Sequence, residues 1–115
     1  MRYNRRIICT VPAPLGVIAA AVGKALDGDV GGEHSFRPLD ATYDEQGNIL
    51  TQPTKLITEA PCIEELAQTV PYLIANPAML LATIELDFDN RFPDYPRPTL
   101  AEVEAFCAAA TVEVL

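Results

Sequence analysis

The clearest alternation of apolar and polar positions lies at residues 80–89, LLATIELDFD. Every even-numbered residue of this stretch is apolar, whereas the odd-numbered ones include the acids Glu85, Asp87 and Asp89. A period of two is typical of a half-buried strand, whose successive side chains point to opposite faces. The pattern therefore predicts a strand of the main sheet, with the three acids on its outer face.

Hydrophobic periodicity and turn residues predict the remaining elements of the chain. In chain order they are a strand over residues 5–11, a helix over residues 14–26, a flexible connection over residues 28–33, two hairpin strands over residues 35–43 and 48–59 joined by a turn at residues 44–47, a helix over residues 61–74, a helix that begins after Thr99, and a strand over residues 111–115. Gly47 suits the positive φ that a hairpin turn commonly needs, and Thr99 with Glu102 has the spacing of a capping box.

The predicted order is βαββαβ followed by αβ, within one domain of residues 1–115. This order predicts an α+β fold in which a mainly antiparallel sheet carries helices on one face. The first six elements match a ferredoxin-like core, and the last two extend it. Many unrelated activities share this topology, so it does not identify a function.

Proline residues predict where regular structure is interrupted. Pro38 cannot donate a hydrogen bond to a neighbouring strand, which predicts a position at a sheet edge or bulge. Pro71 predicts a kink or a break in the second helix. Three prolines in residues 91–98 predict an extended surface loop, in which Phe92 and Tyr95 either contact a partner or fold back over the core.

Charge is unevenly distributed along the 115 residues, whose formal net charge is −8. Residues 1–37 carry a net charge of +2 and residues 38–115 a net charge of −10. This balance disfavours direct binding to nucleic acid or to an anionic membrane and predicts a protein partner with a basic surface. No apolar run is long enough to span a membrane. The three widely spaced cysteines indicate free thiols in a reducing compartment, which predicts a cytoplasmic protein.

Candidate chemistry is limited to one thiol and one imidazole. Cys62 follows Pro61 in the first turn of the predicted second helix, where the helix dipole would lower its pKa. His34 is the single histidine and so the candidate general base. A small buried residue in the core is the simpler interpretation of Cys62. The acids of residues 85–89 lack the spacing of a calcium loop, so we predict neither a metal nor a cofactor.

These observations predict a non-catalytic protein-interaction module of the inhibitor, immunity, adaptor or nucleic-acid-mimic type. Its acidic strand and the turn residues Asp44 and Glu45 would meet a basic partner, while Phe92 and Tyr95 would supply apolar contacts. The alternative is a small-molecule-binding protein or thiol-dependent enzyme with a pocket near Cys62 and His34. A homodimer formed through an uncovered strand, such as the C-terminal one, is a third interpretation.

Overall fold

The computed structural model describes residues 3–30 and 36–115 of the chain. Its elements are β1 (Arg5–Pro12), a 3₁₀ turn (Ala13–Leu15), α1 (Gly16–Val30), β2 (Arg37–Pro38), β3 (Thr42–Tyr43), β4 (Ile49–Thr51), β5 (Lys55–Cys62), α2 (Glu64–Ile74), α3 (Pro77–Arg91), α4 (Leu100–Ala109) and β6 (Thr111–Val114). The predicted α+β class is confirmed, with four helices rather than three in the described residues.

The main sheet is centred on β1, which pairs antiparallel with β5 on one side and with β6 on the other. Strand β2 pairs with the far side of β5, so the order across the sheet is β2-β5-β1-β6. On β1 the alternate residues Ile7, Cys9 and Val11 are buried, whereas Ile8 and Thr10 are only half-buried. One face of the sheet is therefore covered by helices and the other is open, as the sequence predicts.

The strand predicted over residues 80–89 is wrong, because these residues lie in α3. Pro77 occupies the first helical position after Asn76, where the fixed φ of proline suits a helix and its missing N–H costs nothing. Helices α1, α2 and α4 contact β1, and α3 packs on those three helices. The ferredoxin-like order is not confirmed, since it requires a strand where α3 lies.

The apolar residues of α3 satisfy two periodicities at once. Leu80, Ile84 and Phe88 are fully buried. Because they are spaced by four, they share one face of a helix and would also share one face of a strand. Only Ala82 and Leu86 distinguish the two structures: a strand would bury both, but both are exposed, Leu86 by 66 %.

The second predicted helix begins later than its sequence indicates. Strand β5 continues through Cys62, and α2 begins at Glu64 after the extended residue Ile63. Helix α2 continues through Pro71 and ends at Ile74. No single helix in the described ranges is long and apolar enough to cross a membrane; α2 and α3 meet that test only together, and they are bent by 117° relative to each other.

Several local predictions are confirmed. Gly47 has a φ of 85° in the turn between β3 and β4. The Thr99 side chain accepts a hydrogen bond from the Glu102 N–H, and the Glu102 carboxylate accepts one from the Thr99 N–H. Pro38 lies in the edge strand β2. Helix α1 runs past its predicted end to Val30, and the predictions for residues 31–35 lie outside the described residues.

A matched pair of truncations tests whether residues 80–89 form a helix or a strand. We expect Ile84→Ala to lower the free energy of unfolding by about 2–5 kcal/mol, because it leaves a cavity in the core. Leu86→Ala should cost less than about 1 kcal/mol, because this side chain is already in water. Urea denaturation measures both values, and equally large losses for the two variants would contradict α3.

Candidate functional site

The three acids predicted to share a strand face are divided around α3. Along a helix, residues two apart lie about 200° apart and residues four apart about 40° apart, so Asp87 lies on the side of α3 opposite to Glu85 and Asp89. The Asp87 carboxylate pairs with Arg91 (Oδ1 to Nε, 2.8 Å), and the Asp89 carboxylate pairs with Arg97 (Oδ1 to Nη2, 2.6 Å). Glu85 is exposed. The predicted continuous acidic face is therefore wrong, and two of its three charges are balanced by arginines of the same chain.

Phe92 and Tyr95 of the proline loop fold back onto the core. Both rings meet Phe88 edge-on, with centroid distances of 6.0 Å and 5.1 Å. The Lys24 ammonium group of α1 lies 5.2 Å from each of the two ring centroids. Of the two roles left open by the sequence, the structure shows that of a core cover.

Arg97 fixes this loop in place. Its guanidinium donates to the backbone carbonyls of Phe92 and Tyr95 as well as to the Asp89 carboxylate. A groove of about 420 Å³ lies beside the loop, between α1 and the start of α4. It is lined by Val17, Ile18, Ala21, Tyr95, Pro96, Arg97, Pro98 and Glu102. Its two charged groups are Arg97, which bonds to the loop, and Glu102, which bonds to the capping-box amide of Thr99.

Cys62 is a core residue at the end of β5 rather than a helix N-terminal thiol. Its side chain is fully buried. Burial raises the pKa of the thiol; the nearby Arg5 acts in the opposite direction and Glu64 reinforces the rise. The predicted activation by a helix dipole is therefore wrong, and the simpler interpretation of Cys62 is the one observed. His34 lies outside the described residues.

Metal-ligating side chains are not clustered in the part of the chain that the structure describes. No three His, Cys, Asp or Glu residues there are grouped so as to hold an ion. A second groove, of about 290 Å³, lies where β1, β5 and the start of β6 meet. Its lining residues are Thr10, Val11, Pro12, Thr54, Lys55, Ala109 and Thr111. Of these, only Lys55 carries a charge, so the groove offers no acid–base pair.

The exposed apolar surface is most concentrated in the hairpin of residues 39–54, called here the arm. Strands β3 and β4 form a two-stranded sheet separate from the main one, and every residue of both strands is exposed. Four large apolar side chains of the arm, each between 48 % and 68 % exposed, are Leu39, Tyr43, Ile49 and Leu50. Tyr43 and Ile49 face each other across the two strands, beside an irregularity in the register.

Two aspartates hold the arm in shape. At its tip the Asp44 carboxylate accepts hydrogen bonds from the N–H groups of Gln46 and Asn48, at 2.9 Å and 2.8 Å. At its base the Asp40 carboxylate accepts from the N–H and the hydroxyl of Thr54. These hydrogen bonds lower the pKa of both carboxyl groups, since they stabilise the charged form. Both aspartates therefore stay ionised in mild acid.

The arm is also acidic throughout. Residues 39–54 contain Asp40, Asp44 and Glu45 but neither lysine nor arginine, so the arm carries a charge of −3. Of the predicted contact residues, Asp44 and Glu45 lie together at its tip. The apolar part of the arm was not predicted as a site, because its residues resemble ordinary members of the main sheet. Pro53, which separates β4 from β5, is the sequence signal that marks the boundary.

Comparison of the chain with family models, with curated proteins and with solved structures gives no match.

Thiol labelling tests the placement of the cysteines. Burial raises the pKa of all three thiols, to about 12 for Cys9, which also lies near Cys107. A raised pKa means less thiolate at pH 8, and only Cys107 is partly exposed. We expect a thiol reagent to label at most Cys107 in the native protein and all three cysteines in denaturant. A Cys107→Ala variant should be unreactive until it unfolds, and rapid native labelling of Cys62 would contradict this assignment.

Proposed function

We propose that this chain is a non-catalytic protein-interaction module that uses the arm to bind a partner with an apolar groove and a basic rim. The observation that carries the proposal is the group of four large apolar side chains left in water on an acidic hairpin outside the core. Tyr43 and Ile49 lie opposite each other on one face of the arm, whereas Leu50, next to Ile49 in β4, points to the other face. Exposed apolar side chains mark interaction surfaces, because their burial against a partner is favourable.

Charge supports a basic partner for the arm. Four of the five arginines in the described residues are paired with acids outside the arm, as Arg5–Glu64, Arg6–Glu59, Arg91–Asp87 and Arg97–Asp89. The arm has three acids and no basic residue of its own. Its negative charge is thus left for a partner, where complementary charge speeds association and selects against acidic surfaces.

The hydrogen bonds of Asp40 and Asp44 support the proposal in another way. An isolated two-stranded hairpin is only marginally stable in water. Bonds at the tip and at the base order the arm before a partner arrives, which reduces the conformational entropy lost on binding. The arm is compatible with an inhibitor, immunity, adaptor or nucleic-acid-mimic role, since a preformed surface would serve each of them.

Paired surface variants test the arm as the binding surface. The arm variant is Tyr43→Ser with Ile49→Ser, the pair that meets across β3 and β4. The control is Val17→Ser with Leu86→Ser, which changes two apolar side chains that are more exposed, on α1 and α3. A partner retained from a lysate of the source cells by the wild type is purified, and its Kd is measured by calorimetry. We expect the arm variant to raise Kd about 100-fold or more and the control by less than about threefold.

Two further measurements sharpen this test. Glu45→Gln should weaken binding, and raising the salt from about 50 mM to about 300 mM should weaken it further, because charge attraction is screened. Circular dichroism must show that every variant is folded. A partner that binds the arm variant as tightly as the wild type would contradict the proposal, as would one that is lost only with the control.

A further inference from the structure

The two edges of the main sheet are not equivalent. The edge strand β2 has two residues and includes Pro38, whereas the edge strand β6 has four residues, TVEV, and contains no proline. In the described residues β6 pairs only with β1, so its outer side is open. Proteins commonly protect such edges with prolines, lysines or bulges, because an open edge can pair with another strand.

The alternation of backbone hydrogen bonds along β6 shows which of its groups are presented at that edge. Arg6 and Leu115 exchange two backbone hydrogen bonds, with N···O distances of 3.3 Å and 2.9 Å. In an antiparallel pair such residues alternate with ones whose N–H and C=O point away. Thr111 and Glu113 therefore bond towards β1, whereas Val112 and Val114 direct their N–H and C=O outwards. At the other edge Leu39 bonds to Lys55, so by the same alternation the backbone groups of Pro38 face the open side of β2. Pro38 has no N–H to offer there.

We propose that β6 pairs antiparallel with β6 of a second copy of this chain, which joins the two main sheets into one sheet of eight strands. An antiparallel pair of identical strands is two-fold symmetric, so each copy offers what the other needs. If the two-fold axis passes between the Val112 residues of the two copies, these residues exchange two backbone hydrogen bonds. This register places Glu113 opposite Thr111 of the second copy, whereas centring on Glu113 would place two carboxylates face to face.

The dimer would leave both arms free. Each arm joins β2 to β5, at the edge of the sheet opposite to β6. A dimer through β6 therefore carries one arm at each end of the eight-stranded sheet. Two linked arms can engage a partner that has two binding grooves, and this raises avidity without any new contact. The pairing itself does not depend on the arm or on its partner, so it is tested separately.

Sedimentation velocity of the purified chain between about 5 and 500 μM measures the pairing. We expect a dimer whose population rises with salt, since each copy carries a charge of −8 and salt screens their repulsion. This is opposite to the salt dependence expected for binding of the arm to a basic partner.

Val112→Pro removes an outward N–H without removing a bond to β1, and should raise the dimer Kd about tenfold or more. Val112→Thr keeps both the N–H and the branched shape, and should change Kd by less than about threefold.

Amide exchange followed by NMR gives a second readout that needs no variant. Exchange at Val112 and Val114 should slow as the protein concentration rises, while exchange at Glu113 and Leu115 should not change, because those amides already bond to β1. Three outcomes would overturn the proposal: a wild-type monomer throughout the concentration range, a dimer that survives in folded Val112→Pro protein, or exchange at Val112 that is independent of concentration.

Discussion

Burial of the inner face of β1 is the constraint on which the rest of the structure depends. Ile7, Cys9 and Val11 must be covered, and α1, α2 and α4 contact the strand from one side. That helical layer leaves a further apolar gap, which α3 fills with Leu80, Ile84 and Phe88. The same requirement explains why Phe92 and Tyr95 fold back onto Phe88. A helix at residues 80–89 is thus a consequence of where apolar surface remains to be buried.

Once the core is closed, the features left at the surface differ in kind. The acids of α3 are mostly balanced by arginines, whereas the arm keeps its acidic charge and its exposed apolar side chains. The sheet separates the two surfaces proposed for binding, because the arm emerges at the β2 edge and the open strand β6 lies at the other. The proposed association with a basic partner and the proposed pairing with a second copy therefore use opposite edges of the sheet.

Local signals in the sequence were sufficient for part of this structure. Gly47 and the Thr99–Glu102 capping box act through their own neighbours, and β1 has an alternation that only a strand explains. The strand prediction for residues 80–89 was wrong because a spacing of four fits both a helix and a strand. Two signals favoured the helix, namely Asn76–Pro77 at its start and the four-residue spacing from Asp87 to Arg91. The prediction for Cys62 was wrong because Pro61 was assigned to the start of a helix. Pro61 instead lies in β5, at a position that β2 does not reach, so the strand tolerates it. The exposure of the arm depends on the packing of the whole chain and is not encoded by any one stretch of it.

The stability of a chain without the arm tests whether the arm serves binding rather than folding. Residues 41–53 would be replaced by Gly-Ser-Gly-Ser, a flexible linker that joins Asp40 to Thr54. We expect a free energy of unfolding within about 1 kcal/mol of the wild type in urea, because no buried apolar side chain is removed. A loss of more than about 3 kcal/mol would contradict this assignment, because it would show that the arm is part of the core.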